Sequence, residues 1–329
     1  MRNLLALLVV VLSIEAMAQD RSADKNVAII RDSFYFKTIA EPTTSFIQLN
    51  EGYKIFSEKI GYGKIKILFV HGGPGNTHEY FDIFKKELPP DKYELVFYDQ
   101  LGAYFSDQPA DTTLWNLKRC VAELEQVRAF YQLTDFYVLG HSFGGLLAME
   151  YAVEYPGKLK GLIISNRSYS TPKTDIYRQK LYMDIGRDFK LSRKSMEEIK
   201  NNQDITDPIE YKKVVAEFGK RHLMRLDTVP EPDQRSINHT VRKYRPYYYF
   251  RHDWNFEDSL SKIDAPTLLL GSRYDQVDTA DLYLMKDKIK ESEVYICPNG
   301  SHFAFWDDSN NYFHALLKFI EKQERNPSR

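Results

Sequence analysis

The apolar positions of this chain fall into short unbroken runs separated by longer mixed stretches, a pattern that predicts buried strands alternating with helices. Ile65 to Val70, Glu94 to Tyr98, Phe136 to Leu139, Leu159 to Ser165, Pro266 to Gly271 and Val294 to Pro298 each read as a strand. Residues 44 to 60 look like an initial strand pair. Helices are predicted near Glu79 to Lys86, over about Leu114 to Tyr131, and from Gly145 to Tyr155, where Pro156-Gly157 stops the last of them. Repeated strand-helix units of this kind imply a mainly parallel sheet. From about Thr171 to Ser261 the alternation stops, giving charged, helix-favouring segments and a Tyr-rich stretch before strand character resumes at Thr267. This predicts a helical insertion over 171–262 between two parts of one core, 19–170 and 263–329, with a frayed tail from Glu324 to Arg329.

The strand at Phe136 runs into Gly140-His-Ser-Phe-Gly144 and then a helix, the context of a nucleophile elbow. A serine on so sharp a turn needs glycine two residues to either side, because a side chain there would strike neighbouring backbone. Ser142 is therefore the candidate nucleophile. Upstream, the run ending at Val70 delivers His71-Gly-Gly-Pro-Gly75, from which the NH of Gly73 could join the NH of Phe143 as an oxyanion hole; an ordinary strand-ending turn is the alternative. A base and an orienting acid should follow in the order Asp, then His. Asp275 lies just past the strand ending at Gly271, and His302 just past the strand ending at Pro298, where open parallel sheets place functional groups. Asp107, Asp278, Asp307 and Asp308 are alternative acids, and His71, His141 and His252 alternative bases.

Composition fits one large globular enzyme: 329 residues, 43% hydrophobic and 28% charged, suffice for a well-filled core. A net charge of −1 argues against a nucleic-acid partner, since no basic excess exists to neutralise phosphates. The 23 Tyr and 20 Phe include the run Tyr247 to Phe250 inside the insertion, where Tyr248 could form part of an aromatic wall or simply a packing cluster. Met1-Arg2-Asn3, the apolar stretch Leu4 to Ile14 and Ala16-Met17-Ala18 read as a signal peptide over residues 1–18, implying export to periplasm or medium. That stretch is too short to span a bilayer, so stable membrane insertion is not expected. Cys120 and Cys297 read as buried free thiols, and no spacing implies a metal or cofactor.

Taken together, His71-Gly-Gly-Pro-Gly75, Asp99-Gln-Leu-Gly102, Gly140-His-Ser-Phe-Gly-Gly145, Gly271-Ser-Arg-Tyr-Asp275 and Gly300-Ser-His302 resemble the prolyl aminopeptidases, also called proline iminopeptidases. The resemblance runs from about Tyr53 to Glu321. It implies an α/β-hydrolase fold with an inserted helical cap, Ser142 as nucleophile with Asp275 and His302, and Gly73 with Phe143 as oxyanion donors. The implied activity is release of N-terminal residues, proline preferred, from small peptides through an acyl-enzyme, without a cofactor. An esterase or amidase using the same triad on uncharged acyl substrates is the alternative. Asp99-Gln100 resembles the family's loop after the fourth strand and reads as scaffold, although Ala103-Tyr104-Phe105 is bulkier than the small residues usual there. The resemblance also implies that a free amine is met, as in some members of the family, by acidic residues on the cap and beside the triad acid. Here Gln276 follows Asp275, and Lys243 to Arg251 is basic and aromatic where an acidic cap segment is expected. Glu231 and Asp233 are the remaining candidates for the amine, with solvated cap surface as the alternative for both.

Overall fold

The computed structural model describes residues 41–243 and 252–325; the segment 1–18 and Tyr248 lie outside the described residues. The chain forms β1 (Thr43–Gln48), β2 (Lys54–Ile60), β3 (Ile65–Val70), a 3-10 turn (His78–Phe81) leading into α1 (Asp82–Glu87), β4 (Tyr93–Tyr98), α2 (Leu117–Phe130), β5 (Phe136–His141), α3 (Phe143–Glu154) and β6 (Leu159–Ser165). Next come α4 (Thr171–Asp188), α5 (Arg193–Lys200), α6 (Pro208–Phe218) prolonged by a π-helical turn (Gly219–Leu223), and α7 (Glu231–Asn238). Then β7 (Thr267–Ser272), α8 (Thr279–Lys288), β8 (Ser292–Cys297), α9 (Ala304–Asp307) and α10 (Ser309–Arg325) follow. The sheet order is β1-β2-β4-β3-β5-β6-β7-β8. β2 is antiparallel to both β1 and β4, and every later neighbouring pair is parallel. Among the described residues, no helix is long and apolar enough to cross a membrane.

β5 and β7 are buried at every position, as central strands covered on both faces must be. Alternation sorts their neighbours: Ile67 and Phe69 of β3 pack with Phe84, Phe305 and Phe319, whereas Leu68 and Val70 pack with Leu124, Val127, Leu146 and Leu147. The inserted helices join the first of these clusters through Tyr182, Ile185 and Phe218. They carry their own start signals: Ser170 caps α4 by accepting from Lys173 NH, and Asp207 caps α6 by accepting from the NH groups of Ile209 and Glu210.

Element ends differ from expectation where side chains reach the backbone. The helix expected near Glu79 to Lys86 opens as a 3-10 turn, pinned by Asp99 Oδ1, which accepts the His78 NH at 2.7 Å. α2 starts at Leu117 because Asn116 Oδ1 caps it through Arg119 NH. The tail expected to fray from Glu324 is instead helical through Arg325, because Glu324 accepts from Tyr137 Oη at 2.8 Å and Lys160 Nζ at 2.9 Å.

At the centre, β5 hands over to α3 with almost no space. A Cβ on Gly144 would lie 1.9 Å from the Val70 carbonyl oxygen, and one on Gly140 2.4 Å from the Gly144 oxygen. Both obstacles are backbone. Gly144→Ala should therefore destabilise the protein by about 3 kcal/mol, which urea unfolding checks; an unchanged midpoint would contradict the contact.

Candidate active site

Ser142 sits between β5 and α3 with φ 54° and ψ −119°, a conformation sparsely populated by any residue with a Cβ. The turn is held by the Ser142 NH donating to Ser165 O and the Gly145 NH donating to Ser142 O, each at 3.0 Å. Such over-determination keeps a strained residue in place. Ser142 is partly exposed while the residues on either side of it are buried, so the turn presents the serine outward.

The loops after β7 and β8 bring Asp275 and His302 together: His302 Nδ1 donates to Asp275 Oδ1 at 2.8 Å, with both residues almost fully buried. The carboxylate partner fixes the proton on Nδ1 and leaves Nε2 as an acceptor. Asp275 is itself held by the Gln276 NH at 2.6 Å and by Asn166 Nδ2 at 2.9 Å. Asn166, at φ 53° just past β6, also reaches Ser272 Oγ and Ser301 O, so one amide ties the acid's loop to the base's loop.

The alternative acids and two of the alternative bases have other partners. Asp107 accepts from Lys54 NH, Asp278 caps α8, Asp308 accepts from Asn299 NH, and Asp307 accepts from Ser301 NH and Arg225 NH. His71 Nε2 accepts the Gln100 NH at 2.9 Å. His141 Nε2 donates to the carbonyl of His302 at 2.9 Å. Burial lowers the pKa of both, and for His141 the neighbouring His302 lowers it further.

The glycine-rich loop passes directly beside the serine: a Cβ on Gly72 would lie 3.1 Å from Ser142 Cβ. Gly73 has φ 120°, and a Cβ there would meet the nitrogens of Gly75 and Asn76 at 2.8 and 2.9 Å. Tyr80 couples this loop to the elbow, its hydroxyl accepting from Gly72 NH while contacting His141 Nδ1 at 3.2 Å.

The chain is similar to proteins of known kind. An α/β hydrolase fold model matches residues 66–309. Proline iminopeptidases of Elizabethkingia meningoseptica and Flavobacterium johnsoniae are 35% identical over 283 residues and 34% identical over 281 residues, each covering 82% of this chain and 94% of the relative. The chain belongs to the proline iminopeptidase family. Among solved structures, the proline iminopeptidase of Mycobacterium smegmatis matches with a TM-score of 0.75 at 20% identity, over 87% of this chain and all of that one, a likeness of fold.

As a member of the proline iminopeptidase family, with the α/β-hydrolase fold, the protein is a hydrolase with prolyl aminopeptidase-like character. Its acidic residues on α7 part company. Glu231 is exposed and paired with Arg235, one turn along the same helix. Asp233 points the other way: it is 2% exposed, and its Oδ2 has no hydrogen-bond partner. Burial pushes its carboxyl well above the usual range, and the charge of Asp307 adds to this. Asp307 itself is pushed up to about 6 by burial. α7 packs beside the glycine-rich loop, Ser236 Oγ donating to Thr77 O at 3.3 Å, and after burial the charge of Asp233 adds to raising the pKa of Tyr80. Gln276, beside Asp275, is buried with an unpartnered Oε1.

The bulky Tyr104-Phe105 pair has a structural use, because Tyr104 stacks on His239 at 4.2 Å and Phe105 meets the same ring edge-on at 5.1 Å. This loop therefore braces the end of α7. Asn166, Tyr80 and the turn residue His222 carry contacts that sequence reasoning missed. For Asn166 a signal existed, since Asn tolerates positive φ at a strand end better than other residues.

Proposed function

We propose that the protein is a serine aminopeptidase releasing N-terminal residues, proline preferred, from small peptides. The reading rests on one observation above the rest: an Asp275–His302 hydrogen bond whose histidine carbonyl is bonded by His141, the residue preceding a serine on a strained elbow. Ser142 Oγ attacks the carbonyl carbon of the first residue and passes its proton to His302 Nε2, while Asp275 stabilises the imidazolium. The oxyanion is met by the NH groups of Gly73 and Phe143. The imidazolium protonates the leaving amine, and water, activated by the same ring, hydrolyses the acyl-enzyme. Asp233 is proposed to receive the substrate's cationic amine, because a buried carboxyl group with Oδ2 left without a hydrogen-bond partner is the group that a desolvated cation requires. Family membership supports the same substrate class.

The uncharged Gln276 beside the triad acid favours the second reading, an esterase or amidase on uncharged acyl groups. Comparing kcat/KM for a proline arylamide, its N-blocked form and a short-chain aryl ester separates the two. Preference for the unblocked proline substrate is expected; ester turnover with little proline release would establish the alternative.

A further inference from the structure

The inserted helices touch the catalytic loops through one compact turn. α6 ends in the π-helical turn Gly219–Leu223, closed by the Met224 NH donating to Gly219 O at 3.0 Å. The last carbonyls of a helix have no partner within it. Here those of His222 and Leu223 accept the NH groups of His302 and Phe303, each at 3.1 Å, and Leu223 O also receives Ser301 Oγ at 2.7 Å. The loop carrying the base thus caps the helix, and the helix holds the loop.

The His222 ring extends this hold to the acid. Its Nδ1 donates to the carbonyl of Tyr274 at 2.9 Å, and Tyr274 is the residue preceding Asp275. The ring packs on Phe218 at 5.2 Å and is half-buried; burial lowers its pKa, and the bond to the Tyr274 carbonyl requires a proton on Nδ1. One residue therefore grips the backbone of the base through its carbonyl and the neighbour of the acid through its ring. Asn166 makes the corresponding tie from the sheet side, so the Asp275–His302 pair is braced from both the core and the insertion.

We propose that His222 is a positioning residue that sets the Asp275–His302 geometry, so that the inserted helices govern the chemical step as well as covering the site. The inference rests on Ser142, Asp275 and His302 acting as a triad, and the test reads Ser142 directly. Labelling of Ser142 by a fluorophosphonate, followed by mass spectrometry, is measured beside kcat and KM on an aryl ester. His222→Phe keeps a ring against Phe218 but has no donor; it should slow labelling and lower kcat by about tenfold to a hundredfold with KM within about twofold. His222→Asn, whose amide can still donate to the Tyr274 carbonyl, should recover most of the loss. Thermal unfolding confirms that each variant is folded, and His222→Leu substitutes for His222→Phe if the latter is not. An unchanged labelling rate in His222→Phe overturns the inference, as does an equal loss in His222→Phe and His222→Asn. Absence of Ser142 labelling in the unmodified protein would overturn the triad reading itself, a result that cannot be confused with either of those.

Discussion

Ser142→Ala should lower kcat by about 10⁴- to 10⁶-fold, a barrier increase of roughly 5.5–8 kcal/mol, while leaving the protein as stable as before. Both halves follow from the elbow. Alanine removes the hydroxyl proposed to be activated by the Asp275–His302 pair, yet keeps a Cβ and so the same strain at φ 54°. A catalytic loss without a stability change would separate chemistry from scaffold. Substituting His302 should cost a similar factor, and combining the two little more, because members of such a unit fail together. Turnover within tenfold of the parent in Ser142→Ala would remove the mechanism.

The elbow was legible because its steric demands are written as residue types. Gly140 and Gly144 stand where a Cβ would enter backbone, so any other residue there forces the backbone to shift. The strands were legible because burial on both faces of β5 and β7 leaves uninterrupted apolar runs. Asp275 and His302 could be placed from their positions after two such runs, although several acids and imidazoles competed until the structure gave the acids and two of the imidazoles other partners. His222 and Tyr80 left no comparable trace. Each bonds to a backbone atom, Tyr274 O for His222 and Gly72 NH for Tyr80, and backbone partners impose no residue type that a sequence could display. The different surroundings of Glu231 and Asp233 were legible in the spacing along α7. Arg235 follows Glu231 by one helical turn and satisfies its charge, whereas Asp233, Ser236 and Ile237 share the buried stripe of α7.

That division leads to the sharpest functional prediction. Asp233→Asn should reduce kcat/KM for substrates with a free amine by about 30-fold to 5,000-fold, the usual consequence of removing one partner from a buried charge pair at about 2–5 kcal/mol. N-blocked esters should change by no more than about threefold, and Glu231→Gln should change neither, since an exposed pair contributes about 0–1 kcal/mol. The pH dependence has a defined sign. Burial raises the carboxyl of Asp233 above its ordinary 3.8 in the folded enzyme, so the folded state holds a proton there that the unfolded chain releases. Folding stability from this group is present at low pH and is lost as pH rises from the unfolded value through the raised one. Asp233→Asn, which mimics the protonated acid, should therefore be more stable than the parent at pH 8, with the difference shrinking as pH falls. For free-amine substrates the acid limb of kcat/KM should lie at higher pH than for esters, because only they require Asp233 ionised in the free enzyme. Loss of amine selectivity coupled to a gain in stability is the signature of a carboxylate kept for function at the expense of the fold. Equal losses on amine and ester substrates, or a fall in stability at pH 8, would mark Asp233 as scaffold and return the search for the amine partner to the other residues of the insertion.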